Sequence, residues 1–126
     1  MMEGNISFSF PAQRDYGIFV RMAVAGAAAA LDLPMDALED LCAAAEEALD
    51  YLLSAPDAQR ETINADLYRR DAGSVTLSMR FSGRAGTPCG EESVSRAILS
   101  TIMNEVTLFA DARGSTGVRM ALHLGD

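Results

Sequence analysis

Two stretches decide the fold: residues 41–53, LCAAAEEALDYLL, and residues 98–124, ILSTIMNEVTLFADARGSTGVRMALHL. In and just before the first, Leu38, Leu41, Ala45, Leu49 and Leu52 recur three or four apart, the spacing of one face of a helix. That helix is expected over about 36–54, closed by Pro56 and Asp57. The second stretch changes period part-way. Val94, Ala97, Ile98 and Ile102 share one side of a helix over 92–104, whereas 105–111 and 116–124 alternate apolar and polar residues as half-buried strands do. Arg113-Gly114 sits between those strands as the turn of a hairpin.

Working outward, residues 5–10 alternate Ile6, Phe8 and Phe10 with Ser7 and Ser9, and Pro11 ends that strand. Residues 13–31 read as a helix with Ile18, Met22 and Ala25 about a turn apart, and Asp32-Leu33-Pro34 breaks it. Beyond the second helix, Ile63, Ala65 and Leu67 alternate over 62–68 and Val75, Leu77, Met79 and Phe81 over 75–81, with Asp71-Ala72-Gly73 as the turn. Residues 83–91 are rich in Gly, Pro and small polar residues and read as a loop. The order is βααββαββ. It implies an α+β, two-layer sandwich in which a mixed, mostly antiparallel sheet is covered on one face by three helices. The other face should carry Ser7, Ser9, Thr76, Ser78, Arg80, Arg119 and His123.

Composition narrows the function. At 126 residues and 49% hydrophobic, residues 1–126 are expected to form a single domain with its own core. The longest uncharged apolar run, residues 22–31, is about half of what crosses a bilayer, so no membrane span and a cytoplasmic location are expected. Cys42 and Cys89 form no metal spacing and suit reduced thiols. Net charge is −8, and all ten basic residues are arginine. Nucleic-acid binding rests on cationic surface, so a protein partner is expected instead. Without lysine the chain has no P-loop.

The two decisive stretches, with the strand pair between them, resemble the nucleotide-binding frame of the anti-sigma factor serine kinases, a branch of the histidine-kinase-like (GHKL) ATPases with the Bergerat fold. That branch reads E-A-x-x-N on a helix, D-x-G at a strand end, and G-x-G-L opening a helix that closes in M-D-E-V. Here Glu47-Ala48 keeps the first two letters, Gly83 keeps the glycine of the second motif, and Met103-Asn104-Glu105-Val106 nearly keeps the last tetrad. Pro11-Ala12, Arg21 and the run Gly114-Ser115-Thr116-Gly117-Val118 also stand where the branch has like residues. The resemblance implies the sandwich fold, Glu47 as the family base, and a nucleotide site at Tyr51, Phe81, Gly83, Ser93, Ser95 and Thr116. It also implies pairing as a homodimer and partner switching with a sigma factor or an anti-anti-sigma-like antagonist.

The ligand-contacting letters differ. Tyr51 replaces the asparagine that holds magnesium, and a tyrosine hydroxyl is a poor ligand for a hard cation. Phe81 replaces the aspartate that reads the adenine amine, which, buried without an acceptor, would cost about 1–3 kcal/mol. Ser93 and Ser95 replace glycines whose amides approach phosphate, and Glu91 and Glu92 add negative charge there. A one-residue slip would instead place Glu46 and Asp50 at these positions, but it turns the leucine stripe from the sheet. Glu47 by itself also fits a solvated acid beside Asp36 and Asp40, and His123 a surface histidine. Three readings stay open. The first is an anti-sigma-like binding module with a degenerate ATP site and no cofactor. The second is an active ATP- and magnesium-dependent serine/threonine kinase with divergent motifs, and the third is a scaffold outside sigma control.

Overall fold

The computed structural model describes residues 3–83, 88, 92–110 and 116–124. Within them lie five strands, β1 (Gly4–Pro11), β2 (Thr62–Arg69), β3 (Ser74–Phe81), β4 (Glu105–Ala110) and β5 (Thr116–His123). The α-helices are α1 (Gly17–Ala30), α2 (Met35–Leu53) and α3 (Glu92–Ile102), with short 3-10 turns at Arg14–Tyr16 and Ala58–Arg60. The order is the βααββαββ expected. The segment expected as one helix from residue 13 is divided, a 3-10 turn preceding α1. The hairpin turn at Arg113-Gly114, Cys89 and most of the 83–91 loop lie outside the described residues.

The sheet runs β1-β2-β3-β5-β4. All four pairings are antiparallel, so the mixed element of the expected sheet is not present among them. The reason is the position of β5. The chain leaves β3, crosses by α3 to β4 at the edge, and β5 returns into the gap, separating β3 and β4, which run the same way. A single register carries alternation across the strands: Ile63, Ala65 and Leu67 of β2 and Val75, Leu77, Met79 and Phe81 of β3 are buried under the helices. Ser7, Asp66, Ser78, Arg119 and Thr107 form one row on the other face. The expected polar positions are therefore where the alternation put them. Ser9 donates to Asn64 at 2.7 Å, and Ser7 donates to Asp66.

Gly117 belongs to that outer face yet is buried. Its neighbours across the sheet, Arg80 and Phe109, close over it, and a Cβ there would come within 2.6 Å of both side chains and of the Met79 carbonyl. Phe109 in turn carries the Arg119 guanidinium 5.5 Å above its ring. The glycine is therefore a packing requirement between two large side chains.

Two helix faces differ from those expected. On α1 the core takes Val20, Val24, Ala27 and Ala28, while Ile18 and Met22 are 76% and 69% exposed. Both sets fall at helical spacing, and the stripe nearer the sheet is the one buried. On α3 the core takes Ser95 and Leu99, with Met103 just beyond, leaving Val94, Ala97 and Ile98 exposed. On α2 the expected Leu41, Ala45, Leu49 and Leu52 are buried, Leu38 partly so.

Helix α1 ends in a Schellman turn: Leu33 N–H reaches Ala28 O at 3.0 Å, Asp32 N–H reaches Ala29 O at 3.0 Å, and Asp32 has φ 59°. Arg69, buried at the end of β2, donates to Leu31 O at 2.8 Å, Asp32 O at 2.9 Å and Asp71 O at 3.3 Å. The helix thus breaks within the expected Asp32-Leu33-Pro34, at Asp32, and Pro34 serves as the N-cap of α2.

Candidate functional site

Helix α2 lies at the centre of the helical layer, against α1 on one side and α3 on the other, with β3 and β5 beneath. Glu47 and Tyr51, one turn apart, are on the part of α2 that the rest of the molecule covers: Glu47 is half-buried and Tyr51 is 7% exposed. Glu47 is not the solvated acid of the simplest reading. Burial lifts its carboxyl pKa above the ordinary 4.5, repulsion from Asp50 lifts it further, and a hydrogen bond donated by the Ser95 hydroxyl opposes both. That hydroxyl belongs to a buried residue of α3. Two of the expected positions are thus brought together, with the serine spending its donor on the acid.

The remaining positions divide between core and surface. Phe81, 1% exposed, ends β3 among the largest fully buried side chains, and it shares one hydrophobic cluster with Tyr51. Thr116, also buried, opens β5 one step past the Arg80–Gly117 pair, so it and Phe81 lie at the same end of adjacent strands. Gly83 is covered by the carboxylate of Glu61, which a Cβ at that position would strike, and Ser82 Oγ approaches the same carboxylate at 3.5 Å. The side chain of Ser93 lies outside the described residues.

Sequence reasoning missed Glu61 and the Glu47–Ser95 contact, since both join residues distant along the chain. It also left His123 without a partner. The ring is exposed as expected, and its Nε2 lies 3.0 Å from Glu105 Oε2 across the antiparallel β4–β5 pair. The alternative acids Glu46 and Asp50 are exposed and paired with arginines, at 3.6 Å to Arg21 and 2.9 Å to Arg14. No three His, Cys, Asp or Glu side chains form a metal-holding group among the described residues. For a magnesium nucleotide these residues make a poor fit: Phe81 offers an amine no acceptor, Tyr51 offers a metal at most a phenol, and the Glu47 carboxylate already accepts from Ser95.

The Glu47 shift has a sign that can be measured. A folded-state pKa above the unfolded one means the charged carboxylate opposes folding at pH 7, and that opposition fades as pH falls through the folded pKa. Glu47→Gln, which still accepts from Ser95, is expected to raise the melting temperature at pH 7. The gain should be absent at about pH 3.5, where both forms are neutral. Thermal unfolding of both proteins at the two pH values checks it.

No protein-family model matches the chain, and no curated protein sequence matches it. Solved structures do match. One is the crystal structure of the RsbU and RsbW domains of Rv1364c from Mycobacterium tuberculosis, similar with a TM-score of 0.74 at 15% identity over 96% of this chain. The neighbouring domain is RsbW, and the present chain spans about a third of that protein's length, 32%. The likeness is one of fold, a two-layer α/β sandwich shared over nearly the whole of this chain. No helix among the described residues is long and apolar enough to cross a membrane.

Proposed function

We propose that this chain is an anti-sigma-like regulatory module of the cytoplasm that acts by binding protein, with the fold of a serine kinase and a nucleotide site too altered to hold magnesium-ATP. One observation carries the reading. Tyr51 and Phe81, at the positions of the family's metal and adenine contacts, are buried in a shared core, while Ser95 is engaged with Glu47. The RsbW likeness supports the class of partner, a sigma factor or an anti-anti-sigma-like antagonist. Calorimetric titration with magnesium-ATP is the test. No heat of binding is expected, and a stoichiometric micromolar site would overturn the reading.

One observation favours a second reading. A carboxylate with a raised pKa beside a hydroxyl suits proton transfer, so Glu47 is also what a divergent serine kinase would need. The same titration separates the two.

The module is further proposed to pair with a second copy. Strand β1 is an edge strand with no charged residue in its eight positions, and Phe8 and Phe10 stack beside the partly exposed Phe19 of α1. Uncharged edges are liabilities that association covers. Light scattering at micromolar protein should return the mass of two chains; a monomer alone would refute it.

A further inference from the structure

Between α1 and α2, on the side away from the sheet, runs a groove of about 470 Å³. Met22, Ala25, Leu38 and Ala43 make its apolar lining, with Glu39 and Glu46 on the α2 side and, among the described residues, Arg21 alone as a cation on the α1 side. Helix α1 has two apolar stripes and the core uses one of them, leaving Ile18 and Met22 76% and 69% exposed on the other, with Met22 lining the groove. Met35, 64% exposed at the start of α2, lengthens the apolar strip. Along α2 the acids Glu39, Glu46 and Asp50 follow one another at helical spacing, seven and then four residues apart.

We propose that this α1–α2 groove is the docking site for a cationic amphipathic helix of a partner protein. The shape is that of two helices leaving a channel for a third, and an α1 of 14 residues gives that channel a length of roughly 20 Å. A helix laid there sets apolar anchors at i, i+3 or i+4, and i+7 on Met22, Ala25 and Leu38. Its Lys and Arg side chains face the acid wall. Charge decides the occupant. Glu39 has no ion pair among the described residues, and Glu46 is held only by an exposed contact of 3.6 Å to Arg21, a kind of pair that is weak and exchangeable. A second copy suits the groove less well. The chain carries a net charge of −8, and the two arginines beside α1's exposed stripe, Arg14 and Arg21, already serve Asp50 and Glu46 of their own chain. The inference rests on the protein-binding reading and supplies the chemistry of the element bound.

The test uses the full chain and a labelled peptide of about 16 residues, leucine on one helical face and lysine on the other, with a glutamate version as comparison. Fluorescence anisotropy should show binding of the lysine peptide and none of the glutamate peptide. Glu39→Lys with Glu46→Lys should weaken it about tenfold or more, and more at low salt than at high. Met22→Asn, at an exposed position that folding does not need, should weaken it several-fold. Glu3→Lys with Asp57→Lys changes net charge equally at exposed sites away from the groove and should cost less than about twofold. Equal losses in both charge-reversal variants, no effect of Met22→Asn, or no peptide binding would each overturn the proposal. So would a dimer that Met22→Asn dissolves and the peptide fails to displace, since the groove would then belong to a second copy. Nucleotide binding leaves this result untouched: a chain that takes both magnesium-ATP and the peptide keeps the groove and loses the non-catalytic reading.

Discussion

Phe81→Asp should abolish cooperative folding at pH 7, or lower stability by at least about 4 kcal/mol. Removing a fully buried phenylalanine costs about 3–5 kcal/mol in cavity and lost transfer energy. The carboxylate that replaces it adds the cost of burying a charge. Acidification should return part of the loss. The new carboxyl has a folded pKa raised by burial, so its electrostatic cost is complete above that pKa and fades as pH falls through it, while the cavity remains. Urea denaturation of this variant beside Phe81→Leu measures the effect; the leucine should cost less than about 1.5 kcal/mol. The result matters for function because aspartate is the adenine-reading residue type of the kinase branch. If Phe81→Asp is well folded and takes up ATP, the position is a binding position with a replaceable occupant. If it unfolds, the position has become core.

Arg69→Ala should be nearly as damaging, by about 3–5 kcal/mol, although the residue touches nothing at the candidate site. Its guanidinium satisfies the Leu31, Asp32 and Asp71 carbonyls, holding the left-handed turn at Asp32 onto the end of β2. Alanine leaves those acceptors without their donor in a place water reaches poorly, and the penalty of an unmade bond exceeds the gain of a made one. Arg69→Lys should recover less than half of the loss, because an ammonium lacks the planar fork that serves several carbonyls together. Chemical denaturation gives the magnitude. Hydrogen exchange should show the last turn of α1 opening first, since the α1–α2 connection is what Arg69 fastens.

The proposals about Glu47, the groove and the nucleotide site all concern α2, which explains why part of the site was legible in advance. Periodicity along one element announces which residues share a face. Glu47 with Tyr51, and Leu41 with Ala45, Leu49 and Leu52, follow from the 3.6-residue repeat alone. Strand alternation likewise announced the polar sheet face of Ser7, Ser78 and Arg119, because a two-residue repeat fixes the side before any partner strand is known. The register then only had to align rows already sorted.

What failed to be legible has one physical origin. Helix α1 is apolar nearly all round, with Arg21 its single charged residue, so its own pattern offers two equivalent stripes. Which one is buried depends on where β1 and α2 lie, and that is decided by packing between elements distant in sequence. The same holds for α3, where Ser95 and not Val94 turns inward to meet Glu47. Glu61 against Gly83, Glu105 beside His123 and Arg69 over Leu31 are again encounters across many residues. The amino-acid sequence by itself determined the order of elements, the period of each and the polar side of the sheet, since these depend on neighbours within a turn or a strand. The tertiary structure alone decided which of two apolar helix faces became core, which acid was drawn partly out of water, and which groove was left open. Those outcomes depend on long-range contacts whose desolvation and hydrogen bonding exist only once the layers have met.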